Sequence, residues 1–138
     1  MAWGVYEFLD SRGGRVIVQW AWTVRIQKKA RTLLDQKIDL LREHGPDLPP
    51  GLLSPGPIDG GHIYKLKVRG PIMLRPLLCK GPFLMTKEYT LLQGAIERGG
   101  VLPMKDIEKA EENRQTLVIN RDRRLPYEGC SGPAQDGL

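Results

Sequence analysis

Residues 62–79 read His62-Ile63-Tyr64-Lys65-Leu66-Lys67-Val68-Arg69-Gly70-Pro71-Ile72-Met73-Leu74-Arg75-Pro76-Leu77-Leu78-Cys79, and they decide the fold class. From His62 to Arg69 the apolar side chains Tyr64, Leu66 and Val68 alternate with Lys65, Lys67 and Arg69. That period of two marks a strand with one apolar and one wholly basic face. Gly70-Pro71 makes a turn, and Ile72 to Cys79 reads as a second, more apolar strand. Pro76 inside it removes a ladder donor, which implies an edge position or a bulge. After a further turn at Lys80-Gly81-Pro82, one or two more strands are expected between Phe83 and Ile96, with Tyr89-Thr90-Leu91-Leu92 the clearest segment. Consecutive strands joined by tight turns run antiparallel.

Helical patterns lie on both sides. Upstream, Trp3 to Phe8 is a short strand ended by the loop Asp10-Ser11-Arg12-Gly13-Gly14. From Val16 the period lengthens: Ile17, Trp20 and Val24 keep helical spacing, and Ala30, Leu34, Ile38 and Leu41 continue it. One long helix, or a short one followed by a longer one, runs to the stop at Gly45-Pro46. Residues 45–61 hold five prolines and five glycines, too many for a helix or strand, and read as a surface connector inside one domain. Downstream, Pro103 suits the first position of a helix whose stripe is Met104, Ile107, Ala110 and Leu117. From Asn120 the chain is polar and reads as a flexible tail. The expected architecture is α+β: an antiparallel sheet of three to five strands, with the N-terminal helix or helix pair and the C-terminal helix packed on one face. Its domain spans residues 1–119 and its tail 120–138.

With 138 residues and 41% hydrophobic side chains, the chain can bury one core. No apolar run reaches the ~18–20 residues of a membrane helix, and the first residues lack the pattern of a signal peptide. A cytoplasmic protein without membrane contact is expected. Cys79 and Cys130 match no zinc spacing, with only His44 and His62 to help, so both are read as plain thiols and neither metal nor cofactor is expected. Trp3, Trp20 and Trp22 are read as core rather than as platforms for bases. No Ser/His/Asp set, phosphate-cradling glycine loop or catalytic carboxylate pair is evident.

The charge pattern carries the functional reading. Between Asp59 and Glu88 lie 28 positions without an acidic residue, holding His62, Lys65, Lys67, Arg69, Arg75, Lys80 and Lys87. The net charge of the whole chain is +5, so this one segment supplies more than all of it. Lys65, Lys67 and Arg69 share one strand face ~6–7 Å apart, near the spacing of successive phosphates. Crowded like charges are relieved by a polyanion that releases its counterions. Against this stands a plain solvated face. Arg75, inside an apolar run, is either paired with a carboxylate or aimed at a ligand, and Glu97-Arg98 reads as a local ion pair.

Two segments taken together, Ile63 to Arg69 leading to Leu74-Arg75-Pro76-Leu77-Leu78-Cys79, and Tyr89 to Arg98 leading to Ile107-Glu108-Lys109-Ala110-Glu111, resemble the phage-derived branch of the RelE/HigB toxin superfamily. The upstream helix ending in Leu40-Leu41-Arg42-Glu43-His44-Gly45 fits the same pattern, and the likeness covers roughly residues 3–117. The resemblance implies a ribosome-dependent endoribonuclease of a toxin–antitoxin pair, which cuts messenger RNA by attack of a 2′-hydroxyl on the adjacent phosphate. Its implied partners are mRNA, the ribosome and an acidic antitoxin. On the matching positions, Lys65, Lys67, Arg69 and Arg98 would hold RNA. Arg75 would stabilise the pentavalent phosphorus, and His62 would transfer protons. Many members carry a basic pair after the last strand, where this chain has Glu97-Arg98, and Pro76 directly after Arg75 is unusual. The ParE-like gyrase poisons share that fold but usually lack the RNA-gripping set. The alternative reading is a non-enzymatic phage-encoded protein that uses the same fold to bind a host protein.

Overall fold

The computed structural model describes residues 3–23, 26–84 and 87–130. Its elements are β1 (Gly4–Phe8), α1 (Val16–Ala21), α2 (Lys28–His44), β2 (Tyr64–Lys65), β3 (Met73–Lys80), β4 (Glu88–Glu97), α3 (Met104–Ile119) and β5 (Arg124–Pro126). The N-terminal helical pattern is therefore divided, and its member Val24 lies outside the described residues. No described helix is long and apolar enough to cross a membrane.

The five strands are ordered β2-β3-β4-β1-β5. β2, β3 and β4 form the expected antiparallel run, but β1 lies parallel to β4, so the sheet is mixed rather than purely antiparallel. The physical reason is the long excursion through both N-terminal helices, which lets the chain return to the same end of the sheet.

Helices cover both faces, not one. Ile17, Val18, Leu34, Ile38 and Leu41 from α1 and α2 pack with Val5, Leu74, Leu78, Tyr89 and Leu91. Ala110 and Leu117 from α3 pack with Phe8, Leu77, Cys79, Leu92 and Ala95. Leu77 and Leu78 are strand neighbours and so project to opposite faces, as do Leu91 and Leu92. An apolar run buried on both sides cannot show the alternation that would have announced a second helical layer. Trp3, Trp20 and Trp22 all pack against the first core. A Cβ on Gly94 would collide with the Trp20 ring, and one on Gly45 with the Trp3 indole, so both positions need glycine.

β3 and β4 are joined through a bulge. The register runs Leu77 with Gln93 and then Leu78 with Leu91, leaving Leu92 as an extra residue one step beyond Pro76. The carbonyl of Pro76 accepts from the Leu66 amide at 3.0 Å, so the missing donor faces β2, where the regular pairing has already ended. The bulge re-phases β4: Ala95 and Glu97 share the face of Leu92, whereas an unbulged strand would put them with Tyr89 and Leu91. The carbonyl of Leu92 accepts from buried Asn113 Nδ2 of α3 at 2.9 Å.

The strand expected over 62–69 is regular only at Tyr64–Lys65. Beyond it the backbone is shared with the Pro-rich connector: the Lys67 amide donates to the Leu52 carbonyl at 2.6 Å and the Lys65 amide to Ser54 Oγ at 3.1 Å. The two-residue period still holds, with Leu66 and Val68 buried and Arg69 exposed. The connector is not confined to the surface, because Leu48 and Leu53 enter the first core.

Residues past α3 also differ from expectation. β5 pairs with β1, and Tyr127 and Cys130 join the first core. Tyr127 Oη donates to Asp35 Oδ1 of α2 at 2.5 Å, and Trp22 Nε1 donates to the Cys130 carbonyl at 2.8 Å. The packed domain thus continues past residue 119 to residue 130, because a polar composition hid two anchors; residues 131–138 lie outside the described set. Both cysteines are buried free thiols, one in each core, and burial pushes each up to about 12.

Two outcomes follow for urea unfolding. Tyr127→Ala should cost about 3–5 kcal/mol, as aromatic-to-alanine changes in a core do; a loss below ~0.5 kcal/mol, typical of surface sites, would put the domain boundary back at α3. Asn113→Ala should cost about 1–3 kcal/mol by leaving the Leu92 carbonyl without its partner.

Candidate functional site

The bulge delivers Glu97 to the face that carries Arg75 and Lys65. Arg75 is 5% exposed. Its Nε and Nη2 meet the two Glu97 oxygens, each at 3.3 Å, while its Nη1 donates to the Leu74 carbonyl at 2.9 Å. Lys65 Nζ reaches Glu97 Oε1, also at 3.3 Å. One carboxylate therefore receives two cations from two other strands. Burial alone would raise the Glu97 carboxyl, but the Lys65 hydrogen bond and the Arg75 charge outweigh it and hold the group below the usual carboxylate value. Glu97 is ionised at neutral pH.

α3 packs on this face over Leu77, Cys79, Leu92 and Ala95. The Arg75, Glu97 and Lys65 side chains are themselves largely withdrawn from water, at 6%, 15% and 25% exposure. The β3–β4 turn closes one end of the two strands. At the opposite end Met73 is 40% exposed. An open depression of about 500 Å³ there is lined by Gln27, Pro71, Ile72, Met73, Ile96, Glu97 and Arg98.

The remaining sequence candidates divide. Lys67 extends Nζ to the Pro50 carbonyl at 2.8 Å and remains half-exposed. Arg98 is exposed and borders the depression. Among the described residues it forms no ion pair, so the expected Glu97–Arg98 pair is replaced by Glu97 with Arg75 and Lys65. Arg69 lies at the rim of a neighbouring cleft beside Lys29 and Leu33. His62 is over half exposed and its Nδ1 lies 3.2 Å from Glu111 Oε1 on α3. The structure brings Lys65 and Arg75 together and gives His62 a different partner. Glu88, the acid closing the acid-free run, is taken by Arg124, whose guanidinium lies over the Tyr6 and Phe83 rings.

Glu97 is the site residue that sequence reasoning missed as such. A buried arginine called for a carboxylate, but counting back from the turn without a bulge places Glu97 on the other face.

Comparisons with known proteins give no match: no family model fits the chain, and neither a curated protein nor a solved structure is similar to it.

Because the Glu97 carboxyl is lowered in the fold, its stabilisation is fully present above the unfolded value near 4.5 and is lost as pH falls through the folded value. Unfolding free energy measured from pH 7 to 2 should show an acid-side loss that Glu97→Gln abolishes. At pH 7 this variant should be less stable by roughly 1–3 kcal/mol, below the ~3–5 kcal/mol of a fully buried pair because Lys65 keeps part of its side chain in water. An unchanged acid profile would show that the three groups are not coupled.

Proposed function

We propose that the protein acts on single-stranded RNA at the end of its sheet beside Glu97, as a ribosome-dependent mRNA endoribonuclease of the RelE/HigB toxin kind. The observation that carries this reading is the convergence of Lys65 and Arg75 on the Glu97 carboxylate. It joins two cations suited to phosphate and an ionised acceptor, beside an open depression that Glu97 lines. Lys67 and Arg98 border the same end and extend the cationic surface along an RNA backbone.

The chemistry requires few groups. The 2′-hydroxyl of the nucleotide before the scissile bond attacks the adjacent phosphorus. A bond forms from O2′ to phosphorus and the bond to O5′ breaks, giving a 2′,3′-cyclic phosphate and a 5′-hydroxyl that takes its proton from water. Lys65 and Arg75 stabilise the charge on the non-bridging oxygens. Glu97 accepts the 2′-hydroxyl proton. Its depressed carboxyl is a weak base while paired, but a phosphate that takes over Lys65 and Arg75 loosens that pairing and restores basicity. Proton transfer is thus reassigned from His62, which is engaged with α3, to Glu97. An acidic antitoxin would oppose the same cations.

A second reading is favoured by the burial of Arg75, all three of whose guanidinium nitrogens have protein partners. If that clamp never opens, the same face binds a host partner without cleavage.

Induced expression should arrest growth, with translation-dependent cuts mapped by primer extension on messenger RNA. Glu97→Gln should lower cleavage about 10²–10⁴-fold, as loss of a general base does. Lys67→Ala should weaken RNA binding and reduce its salt slope by about one. Arrest without cuts, equal in the wild type and Glu97→Gln, would select the non-enzymatic reading.

A further inference from the structure

The depression at Glu97 does not end at the sheet face. Gln27, Pro71 and Ile72 line both this depression and a second cleft of about 200 Å³ beside α2. Sharing these three residues, the two adjoin, and taken together they make a groove with Glu97 at one end and the first turn of α2 at the other. On the α2 side its floor is apolar, built from Ala30, Leu33, Val68, Ile72 and Leu74. Its rim is cationic, with Arg98 on the near part and Arg69 and Lys29 on the far part. α2 has no acidic residue in its first turn. Among the described residues that line the groove, Glu97 is the only acid.

An apolar floor beneath a positive rim matches a single nucleic-acid strand, whose base faces gain from leaving water while its phosphates gain from nearby cations. The far cleft is smaller than the ~300–1,000 Å³ of pockets that enclose whole ligands, so it suits one flat ring with the sugar and phosphate left outside. A duplex presents no free base face to such a cleft. We infer that the groove seats a nucleotide of the strand whose phosphate is held at Lys65 and Arg75, with its base on Ala30, Leu33 and Ile72 and its backbone along Arg69 and Arg98. This deepens, and rests on, the RNA reading above. It makes the α2 side of the cleft the place where base identity is sensed, by fit and burial rather than by stacking on an aromatic ring.

The test is fluorescence anisotropy with a labelled, 2′-O-methylated RNA octanucleotide that cannot be cut, alongside the same strand carrying abasic positions. Ala30→Phe fills the cleft from the helix, and Arg69→Ala with Arg98→Ala removes the rim from exposed positions; circular dichroism and urea midpoints verify that each variant folds. Ala30→Phe should raise Kd about tenfold for the intact strand, a difference of about 1.4 kcal/mol, and little for the abasic one. The double arginine variant should raise Kd and lower the salt slope by about two. If Lys65→Ala weakens binding while Ala30→Phe and the arginine variant leave it unchanged, the groove assignment is overturned and the RNA reading stands. If wild-type protein and Lys65→Ala bind the strand equally weakly, both fail together. A polyglutamate peptide that binds more tightly than RNA, and loses affinity in the groove variants, would overturn the assignment in favour of a protein occupant.

Discussion

The carboxylate of Glu97 is the constraint on which the open end of the sheet depends. Arg75 projects from the middle of an apolar strand and is almost wholly withdrawn from water. A guanidinium there requires a partner, since an isolated buried charge costs several kcal/mol. Lys65 lies on the neighbouring strand and points the same way, so the two cations would also repel each other. A single carboxylate answering both removes two penalties at once. The cluster still carries one net positive charge, beside the open depression that Glu97 lines. Under the proposed RNA reading, a site that is satisfied yet cationic tolerates being empty and gains from an incoming phosphate.

The bulge at Leu92 makes this arrangement possible. Without the extra residue the last five positions of β4 would turn over, sending Glu97 toward the helices of the first core and Ile96 toward solvent. Asn113 of α3 secures the bulge through the Leu92 carbonyl, so the helix packed on this face also fixes which side chains its sheet presents. Packing and site are coupled through one irregularity in one ladder. α3 shields Leu77, Cys79 and Ala95 on either side of it, and beyond Ala95 the sheet end borders the depression that Glu97 lines.

Much of this was legible in the sequence. The alternation of Leu66 and Val68 with Lys65, Lys67 and Arg69 predicts which side faces the core, and the structure agrees although regular pairing is brief. The helical periods of Leu34, Ile38 and Leu41, and of Ala110 and Leu117, name residues that are indeed buried. Pro76 announced an edge or a bulge, and a bulge lies beside it. What could not be read was the consequence, because a one-residue slip in register is invisible to composition yet changes every facing residue beyond it. The parallel pairing of β1 depends on where a long excursion returns, which no local pattern encodes. Tyr127 and Cys130 look like ordinary residues of a polar end until Asp35 and Trp22 are placed opposite them.

The central claim, that a phosphodiester competes with Glu97 for Lys65 and Arg75, is tested most directly by following the Glu97 side-chain carbon by NMR. The pH titration is run with and without a non-cleavable RNA octanucleotide. The account predicts that the Glu97 carboxyl titrates below an ordinary glutamate in the free protein and moves upward when RNA binds, with the Lys65 and Arg75 side-chain signals shifting together. A Glu97 titration indifferent to saturating RNA would contradict it, and would leave the cluster as a structural ion pair.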